Sequence, residues 1–304
     1  MSMGKRTLFE GINVPIITPF NKDESIDYEG LQKNIDFLIE SGVHGIVTGG
    51  SSGEFFMLKD DERLLLHEKV LSHVNAEIPV YAGTGANTVG EAIRFTRHAK
   101  ELGFDGALVI PPYFIPPVAA EIEIYYRQIS DAVDFPICIY NIPDRTGVNL
   151  YPLIEKLIRI PNVLAWKEST TNLIQMVEVI RETEGRIKVL MGHDLLALPA
   201  LAMGAHGILS PMPNLFGKRF VEIYTLFKAG EIEEARQRQY ELYRFRSNYK
   251  FGTFPWVLKE AMNLAGLCGG FPRGPLQSLK KAEQDHLAAE LVALKVISSP
   301  LTSN

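Results

Sequence analysis

Residues 79–110 read PVYAGTGANTVGEAIRFTRHAKELGFDGALVI and contain one complete strand–helix–strand unit. The segments Pro79–Gly83 and Gly106–Ile110 at its two ends are short apolar runs, as is typical of parallel strands that are covered on both faces. Between them, Thr88 with a glutamate three residues later predicts the start of a helix, and Gly103 predicts its end. The unit therefore predicts a parallel sheet whose strands are connected by helices.

The same unit recurs along the chain and gives eight predicted strands. They are Ile12–Thr18, His44–Gly49, Pro79–Gly83, Gly106–Ile110, Pro136–Tyr140, Val163–Lys167, Ile187–Met191 and His206–Ser210. Eight strand–helix units predict an α/β fold, the (β/α)8 TIM barrel. A doubly wound sheet is the main alternative, but the glycines of Gly83–Gly90 lack the G-x-G-x-x-G spacing of a dinucleotide-binding turn.

The chain beyond about residue 216 contains no further predicted strand. Helices are expected there at Lys218–Ala229, Ile232–Arg246, Phe254–Leu267 and Ala282–Val296. One or two of them would complete the ring of helices around the barrel, and the others would form a C-terminal helical extension. We therefore expect a catalytic barrel domain of residues 1–225 and a C-terminal helical domain of residues 226–304. No linker of Ser, Gly and Pro separates the two, so the extension should pack on the barrel.

The composition excludes several classes of protein. Of the 304 residues 46% are apolar and 22% are charged, which excludes an intrinsically disordered chain. The net charge of −5 lacks the basic excess of a nucleic-acid-binding protein. The first 15 residues contain no signal peptide, and no apolar stretch is long enough to span a membrane. Cys138 and Cys268 are too few for a disulfide framework, so we expect a cytoplasmic protein with reduced thiols.

Catalytic side chains of such a barrel lie at the carboxyl ends of its strands, and Lys167 is the first to consider. Because strand side chains alternate, Lys167 should face the barrel interior together with Val163 and Ala165. Trp166 and Glu168 should then face the helices. Burial favours the neutral form of a lysine amine, and a neutral amine can form an imine with a ketone. A salt-bridged or exposed lysine would fit the same pattern.

Tyr140 ends the neighbouring predicted strand, and neighbouring strands lie about 4.8 Å apart. The side chains of Tyr140 and Lys167 can therefore face one cavity. A tyrosine hydroxyl in that place can transfer protons while an imine forms and while a carbon–carbon bond is made or broken. An ordinary core tyrosine is the alternative.

Two further strand ends carry groups that suit an anionic substrate. The turn Gly50–Glu54 offers the hydroxyls of Ser51 and Ser52 and several backbone N–H groups, which can bind a carboxylate or a phosphate. Arg145, in the loop after Tyr140, suits a second carboxylate. A simple tight turn and a surface arginine are the alternatives.

The seven histidines form no metal-binding motif, so the sequence predicts neither a metal nor another cofactor.

Taken together, these motifs resemble the dihydrodipicolinate synthase / N-acetylneuraminate lyase family over roughly residues 10–280. The matching segments are Gly50–Glu54 (GSSGE), Tyr140–Gly147 (YNIPDRTG), Lys167–Ser169 (KES), Gly192–Asp194 (GHD) and Gly207–Ser210 (GILS). The resemblance implies a barrel with a three-helix C-terminal domain that assembles as a homotetramer or homodimer. It also implies an enzyme that needs no metal or organic cofactor.

The resemblance implies specific roles for the residues of the first three motifs. Lys167 would form a Schiff base with the keto carbon of pyruvate or a related 2-oxo acid. Tyr140 would donate and accept protons, and Ser51 would relay them. Ser52 and the backbone N–H groups of the turn that begins at Gly50 would hold the carboxylate of the 2-oxo acid.

Other residues would shape the pocket and select the second substrate. Leu209 would line the pyruvate pocket, and Gly192 and Asp194 would bind substrate. Arg145 matches the arginine with which dihydrodipicolinate synthases hold the carboxylate of aspartate semialdehyde. Leu195 replaces the glutamate that sialic acid lyases place after the G-x-D segment, which also favours a synthase.

Phe114 is the departure from the synthase pattern. Synthases typically carry P-Y-Y after strand 4, where this sequence reads PYF at 112–114, and Ser51 replaces the more common threonine. Loss of one relay hydroxyl would lower the rate by about a hundredfold or more. Taken as a whole, the resemblance implies a lyase of lysine biosynthesis that condenses pyruvate with aspartate semialdehyde, the dihydrodipicolinate synthase reaction of the family. The first alternative is a 2-keto-3-deoxy or 4-hydroxy-2-oxo acid aldolase or dehydratase of the same family. The second is a non-catalytic protein that binds a 2-oxo acid.

Overall fold

A computed structural model describes residues 7–298 and contains a closed barrel of eight parallel strands in chain order. The strands are β1 (Gly11–Pro15), β2 (Gly45–Thr48), β3 (Val80–Gly83), β4 (Gly106–Val109), β5 (Ile137–Asn141), β6 (Val163–Glu168), β7 (Lys188–Met191) and β8 (Gly207–Leu209). The last strand pairs with the first, with Gly11 opposite Gly207. The predicted barrel is confirmed, and each strand lies within one or a few residues of its predicted segment.

Helices connect the strands on the outside of the barrel. They are α1 (Tyr28–Glu40), α2 (Asp60–Val74), α3 (Val89–Leu102), α4 (Ala119–Ala132), α5 (Pro143–Thr146), α6 (Ile154–Leu157), α7 (Leu173–Thr183), α8 (Ala197–Ala202) and α9 (Pro213–Ala229). The predicted ends of α3 are confirmed. The Thr88 hydroxyl accepts a hydrogen bond from the backbone N–H of Glu91 at 3.3 Å, and Gly103 ends the helix with a φ of 97°.

Strand side chains divide into two apolar layers, as the alternation of a pleated strand requires. The barrel interior holds Val47, Tyr81, Leu108, Cys138, Tyr140, Ala165, Leu190 and Leu209. Phe9 stacks on the ring of Tyr81 with 4.4 Å between centroids. The layer between strands and helices includes Ile46, Val80, Val109, Ile139, Trp166 and Val189. A filled interior leaves room for a site only where the strands end.

The expectation that Val163 faces the barrel interior is wrong. Ile137 pairs with Val163, but the next residue of β5 pairs with Ala165, because the register of the two strands shifts at this point. The β-bulge leaves Leu164 without a partner and 40% exposed, and Val163 packs in the layer between strands and helices. A bulge adds one residue to a strand and so reverses the alternation on one side of it. The alternation from Ala165 onward is the predicted one.

Within residues 7–298, three α-helices follow α9 and form the C-terminal extension. They are α10 (Ile232–Arg246), α11 (Trp256–Leu264) and α12 (Lys281–Ala293). The bounds of α10 are those predicted. Residue 225, where the predicted barrel domain ends, lies inside α9, and the division of the chain into two domains stays a prediction. Gln239 ties α10 to the barrel by accepting a hydrogen bond from the backbone N–H of Leu198 at 3.1 Å.

No helix among residues 7–298 is long and apolar enough to cross a membrane. The absence of a signal peptide is a prediction about the first 15 residues, of which residues 1–6 lie outside the described part of the chain.

Candidate active site at the carboxyl end of the barrel

Lys167 and Tyr140 lie side by side at the ends of β6 and β5. They are paired in the register of the two strands, and Lys167 Nζ lies 3.7 Å from the centroid of the Tyr140 ring. Both residues are buried, with exposures of 3% and 6%. Among residues 7–298, no carboxylate oxygen lies within ion-pair distance of Lys167 Nζ. Within the described part of the chain, Lys167 is therefore neither salt-bridged nor exposed.

Gly192 lies just after β7, and its lack of a side chain leaves room for the side chain of Lys167. A Cβ atom at this position would lie 2.9 Å from Lys167 Cε and 1.9 Å from Ser169 Oγ. The backbone N–H of Gly192 donates a hydrogen bond to the carbonyl of Glu168 at 2.7 Å, which keeps the backbone close to the lysine. Because any side chain here would push against the lysine stem, a glycine is required.

Glu168 fixes the ends of β5 and β6 from the helix side of the sheet. Its carboxylate accepts hydrogen bonds from the amide of Asn141 at 2.9 and 3.0 Å, from the indole N–H of Trp166 at 3.1 Å and from the backbone N–H of Thr170 at 3.0 Å. Burial raises the pKa of Glu168, and these hydrogen bonds oppose the rise. The network holds the backbone on both sides of Lys167 in place.

The glycine-rich turn after β2 brings Ser51 and Ser52 to the same cavity. Its last residue, Glu54, has a φ of 55°, and its buried carboxylate lies 2.6 Å from Nζ of Lys259 on α11. Lys259 also donates to the backbone carbonyl of Thr18 at 2.9 Å. Burial lowers the pKa of Lys259, and the nearby carboxylate opposes this shift. The C-terminal extension thus anchors the turn that carries the two serines.

A cavity of about 300 Å³ opens at this end of the barrel. Of the residues predicted for the site, seven line it: Ser51, Ser52, Tyr140, Arg145, Lys167, Gly192 and Asp194. Gly50 lies beside it, in a small void that Ser51 and Tyr140 also line. Leu209 is buried in the barrel interior with Tyr140 and Ala165 and is not part of the lining.

Asp194 lines the cavity, but one of its carboxylate oxygens is already engaged. Oδ1 accepts a hydrogen bond from the backbone N–H of Met212 at 2.9 Å, and Oδ2 lies 3.8 Å from Nε of Arg246. Burial raises the pKa of Asp194, and the hydrogen bond from Met212 and the charge of Arg246 oppose the rise. Burial also lowers the pKa of the neighbouring His193, while the charge of Asp194 raises it.

Three lining residues come from the C-terminal part of the chain and were missed by the sequence analysis. They are Arg246, Tyr249 and Phe254. The sequence pattern predicts α10, but nothing in that pattern indicates that the last residue of the helix lies over the mouth of the barrel. A basic residue at the end of a helix is also common without any function, so no local signal could have found Arg246.

Phe114 does not line the cavity. It lies in the loop between β4 and α4, where it is 90% exposed and has a φ of 78°. The preceding Tyr113 packs towards the mouth instead, with its ring 5.9 Å from that of Phe55. No group of three or more His, Cys, Asp or Glu side chains within residues 7–298 is arranged to hold a metal ion.

Comparison with known proteins shows the family of the chain. The profile of the dihydrodipicolinate synthetase family matches residues 8–294. The chain belongs to that family. It is 40% identical to the 4-hydroxy-tetrahydrodipicolinate synthase of Methanoculleus marisnigri, with 94% of this chain and 99% of the relative covered. The predictions of an enzyme of this family and of its barrel are therefore confirmed.

Solved structures of the dihydrodipicolinate synthetase family superpose on the chain over nearly its whole length. The dihydrodipicolinate synthase of Aquifex aeolicus matches with a TM-score of 0.91 and 33% identity, covering 97% of this chain and 100% of that one. The chloride-inhibited synthase of Acinetobacter baumannii, solved with pyruvate, matches with a TM-score of 0.91 and 31% identity, covering 95% and 100%.

Proposed function

We propose that this chain is a 4-hydroxy-tetrahydrodipicolinate synthase that condenses pyruvate with aspartate semialdehyde through a Schiff base on Lys167. The observation that carries the proposal is the placement of Lys167. Its amine is buried beside the Tyr140 ring at 3.7 Å and has no carboxylate partner among residues 7–298. A lysine amine that forms no ion pair can, in its neutral form, attack a carbonyl carbon. The curated names of its relatives support the same reaction.

The proposed reaction begins at the keto carbon of pyruvate. Lys167 Nζ attacks this carbon, and the hydroxyl of the resulting carbinolamine leaves as water after Tyr140 has donated a proton. Loss of a proton from the methyl carbon then gives an enamine. The enamine carbon attacks the aldehyde carbon of the semialdehyde, and the new alkoxide takes up a proton. The amino group of the semialdehyde finally attacks the imine carbon, which closes the ring and releases Lys167.

The remaining predicted residues have places in this scheme. Ser52 and the backbone N–H groups of the turn from Gly50 bind the carboxylate of pyruvate, and Ser51 relays protons to Tyr140. Arg145, exposed at the rim of the cavity, binds the carboxylate of the semialdehyde. The reaction needs no metal or organic cofactor, because the imine itself stabilises the carbanion.

Turnover tests the proposal directly. Purified protein is supplied with pyruvate and aspartate semialdehyde, and an added dihydrodipicolinate reductase reports the product through NADPH oxidation. We expect turnover that Lys167→Ala abolishes, while the control Lys156→Ala, at a site 64% exposed, leaves it unchanged. Borohydride should trap pyruvate on Lys167 in the wild type and in the control. Normal turnover by Lys167→Ala would refute the mechanism.

Phe114 favours a second candidate function. It has no hydroxyl, is 90% exposed and occupies the position where the family's synthases usually carry a tyrosine. A 2-keto-3-deoxy or 4-hydroxy-2-oxo acid aldolase would use Lys167 and Tyr140 without that hydroxyl. If well-folded protein traps pyruvate but does not consume the semialdehyde, aldol cleavage of these acids is the next assay.

We also propose that the chain acts in the cytoplasm as a homotetramer or homodimer. Exposed apolar side chains in the loop before α4 support association of copies, because an exposed apolar patch marks an interaction surface. These are Phe114, Ile115 and Val118, with exposures of 90%, 77% and 64%. Light scattering after gel filtration gives the oligomeric state, and a monomer at micromolar concentration would refute this part.

A further inference from the structure

Arg246, the last residue of α10, lies at the mouth of the cavity that holds the reactive lysine. It comes from the C-terminal extension, whereas Arg145 reaches the same cavity from the short helix α5 that follows β5. The cavity therefore has two guanidinium groups from elements that are distant in the sequence. The mechanism above uses only Arg145.

The hydrogen-bond donors of Arg246 are unused within the described part of the chain. Its buried Nε has no hydrogen-bond partner, and the nearest carboxylate oxygen, Asp194 Oδ2, is 3.8 Å away, which is beyond hydrogen-bond distance. No hydrogen bond joins its other nitrogens to any residue of 7–298. A guanidinium has five N–H donors and no acceptor, so this group is suited to an anion.

Neighbouring residues hold Arg246 in position without consuming its donors. The guanidinium carbon lies 4.1 Å from the centroid of the Tyr249 ring, a stacking contact that leaves the N–H edge free. The Asp194 side chain is itself fixed by Met212, and the Gln239 amide donates to the backbone carbonyl of Asp194 at 3.3 Å. The arginine thus has a fixed orientation before any substrate arrives.

Asp194 makes a positive group at this place necessary. Its buried carboxylate lines the same cavity and would repel a second carboxylate on an incoming substrate. Arg246, at 3.8 Å, offsets that repulsion. The site can then accept a substrate that brings another negative charge.

We propose that Arg246 is a specificity-determining residue that, together with Arg145, binds the carboxylate of the aldehyde substrate. This inference rests on the proposed function and deepens it, because it assigns the second half of the substrate site to the C-terminal extension. A fork of two N–H donors facing a carboxylate gives orientation as well as affinity.

The test compares Arg246→Gln with Arg246→Lys and with the control Arg236→Gln. Arg236 lies on the same helix, is 51% exposed and pairs only with Glu233 among the described residues. For Arg246→Gln we expect KM for aspartate semialdehyde to rise by about 10- to 100-fold. KM for pyruvate and the borohydride trapping of pyruvate should stay within about twofold of wild type. Arg246→Lys should recover part of the loss, since it keeps the charge without the fork.

The outcomes separate this inference from the proposed function. If Arg246→Gln behaves like Arg236→Gln in both KM values, or if both KM values rise together, Arg246 does not select the aldehyde. If the wild type traps pyruvate but does not consume the semialdehyde, the synthase proposal fails, and glyoxylate is compared with uncharged glyceraldehyde. If Arg246→Gln then slows the reaction with glyoxylate but not the reaction with glyceraldehyde, the inference is supported. If the substitution changes the rates with both aldehydes equally, the inference is overturned. If the wild type consumes none of these aldehydes, both proposals are rejected.

Discussion

Replacing Lys259 by methionine tests whether the C-terminal extension holds the catalytic turn. Lys259 is fully buried, and its Nζ lies 2.6 Å from an oxygen of the equally buried Glu54. Glu54 is the last residue of the turn that presents Ser51 and Ser52 to the cavity. The methionine side chain is similar in length to that of lysine and has an apolar end. Lys259→Met therefore removes the charge without leaving a large void.

The magnitude follows from the geometry of the pair. At 2.6 Å and an effective dielectric constant of about 20, the attraction is about 6 kcal/mol. Desolvation costs several kcal/mol for each ion, so the net contribution of the intact pair is small. Removing Lys259 alone leaves the Glu54 carboxylate buried and uncompensated, which costs about 3–5 kcal/mol and, in a chain of this length, lowers Tm by about 5–8 °C. Replacing both partners, in Glu54→Leu with Lys259→Met, should recover most of this loss.

The assay is urea unfolding of the wild type, the single variant and the double variant at one protein concentration, because association shifts apparent stability. Below its unfolding temperature, the single variant should also show a raised KM for pyruvate, since the turn with Ser52 loses its anchor. If Lys259→Met is as stable as the double variant, the buried Glu54 carboxylate does not destabilise the single variant, and the reasoning is wrong.

Three further predictions concern the site, the pH dependence of stability and the thiols. Gly192→Ala places a Cβ 2.9 Å from Cε of the reactive lysine and should slow borohydride trapping of pyruvate by about a hundredfold; trapping at the wild-type rate would contradict the proposed crowding. The hydrogen bond from Arg273 lowers the pKa of Glu62 below its ordinary value of 4.5. The contribution of this pair to folding stability is therefore present above pH 4.5 and is lost as the pH falls through the pKa of the folded state. Glu62→Gln should therefore cost about 1–2 kcal/mol at pH 7 and much less at pH 3.5 in urea unfolding, and an equal cost at both pH values would refute this. Burial raises the pKa of Cys138 to about 12, so iodoacetamide at pH 8 should label native protein at the half-buried Cys268 rather than at Cys138, as peptide mass analysis can show.

Local sequence patterns were enough to predict the barrel and the pair of residues at the centre of its candidate site. The strands are short apolar runs bounded by helix caps and glycines, and such local patterns suffice to predict them. The strand register could be inferred well enough to place Tyr140 beside Lys167, because both end neighbouring parallel strands and alternation fixes which face they occupy. The helix-facing positions of Trp166 and Glu168 were predicted for the same reason.

Features that depend on contacts between residues distant in the sequence could not be predicted from those patterns. The β-bulge at Leu164 reverses the orientation of Val163, and the sequence shows no mark of it. The ion pair of Glu54 and Lys259 joins residues 205 positions apart, and Arg246 reaches the cavity from a helix that follows the last strand. Local patterns report which face a residue occupies within its own element. Which elements meet at the mouth of the barrel depends on how the whole chain packs.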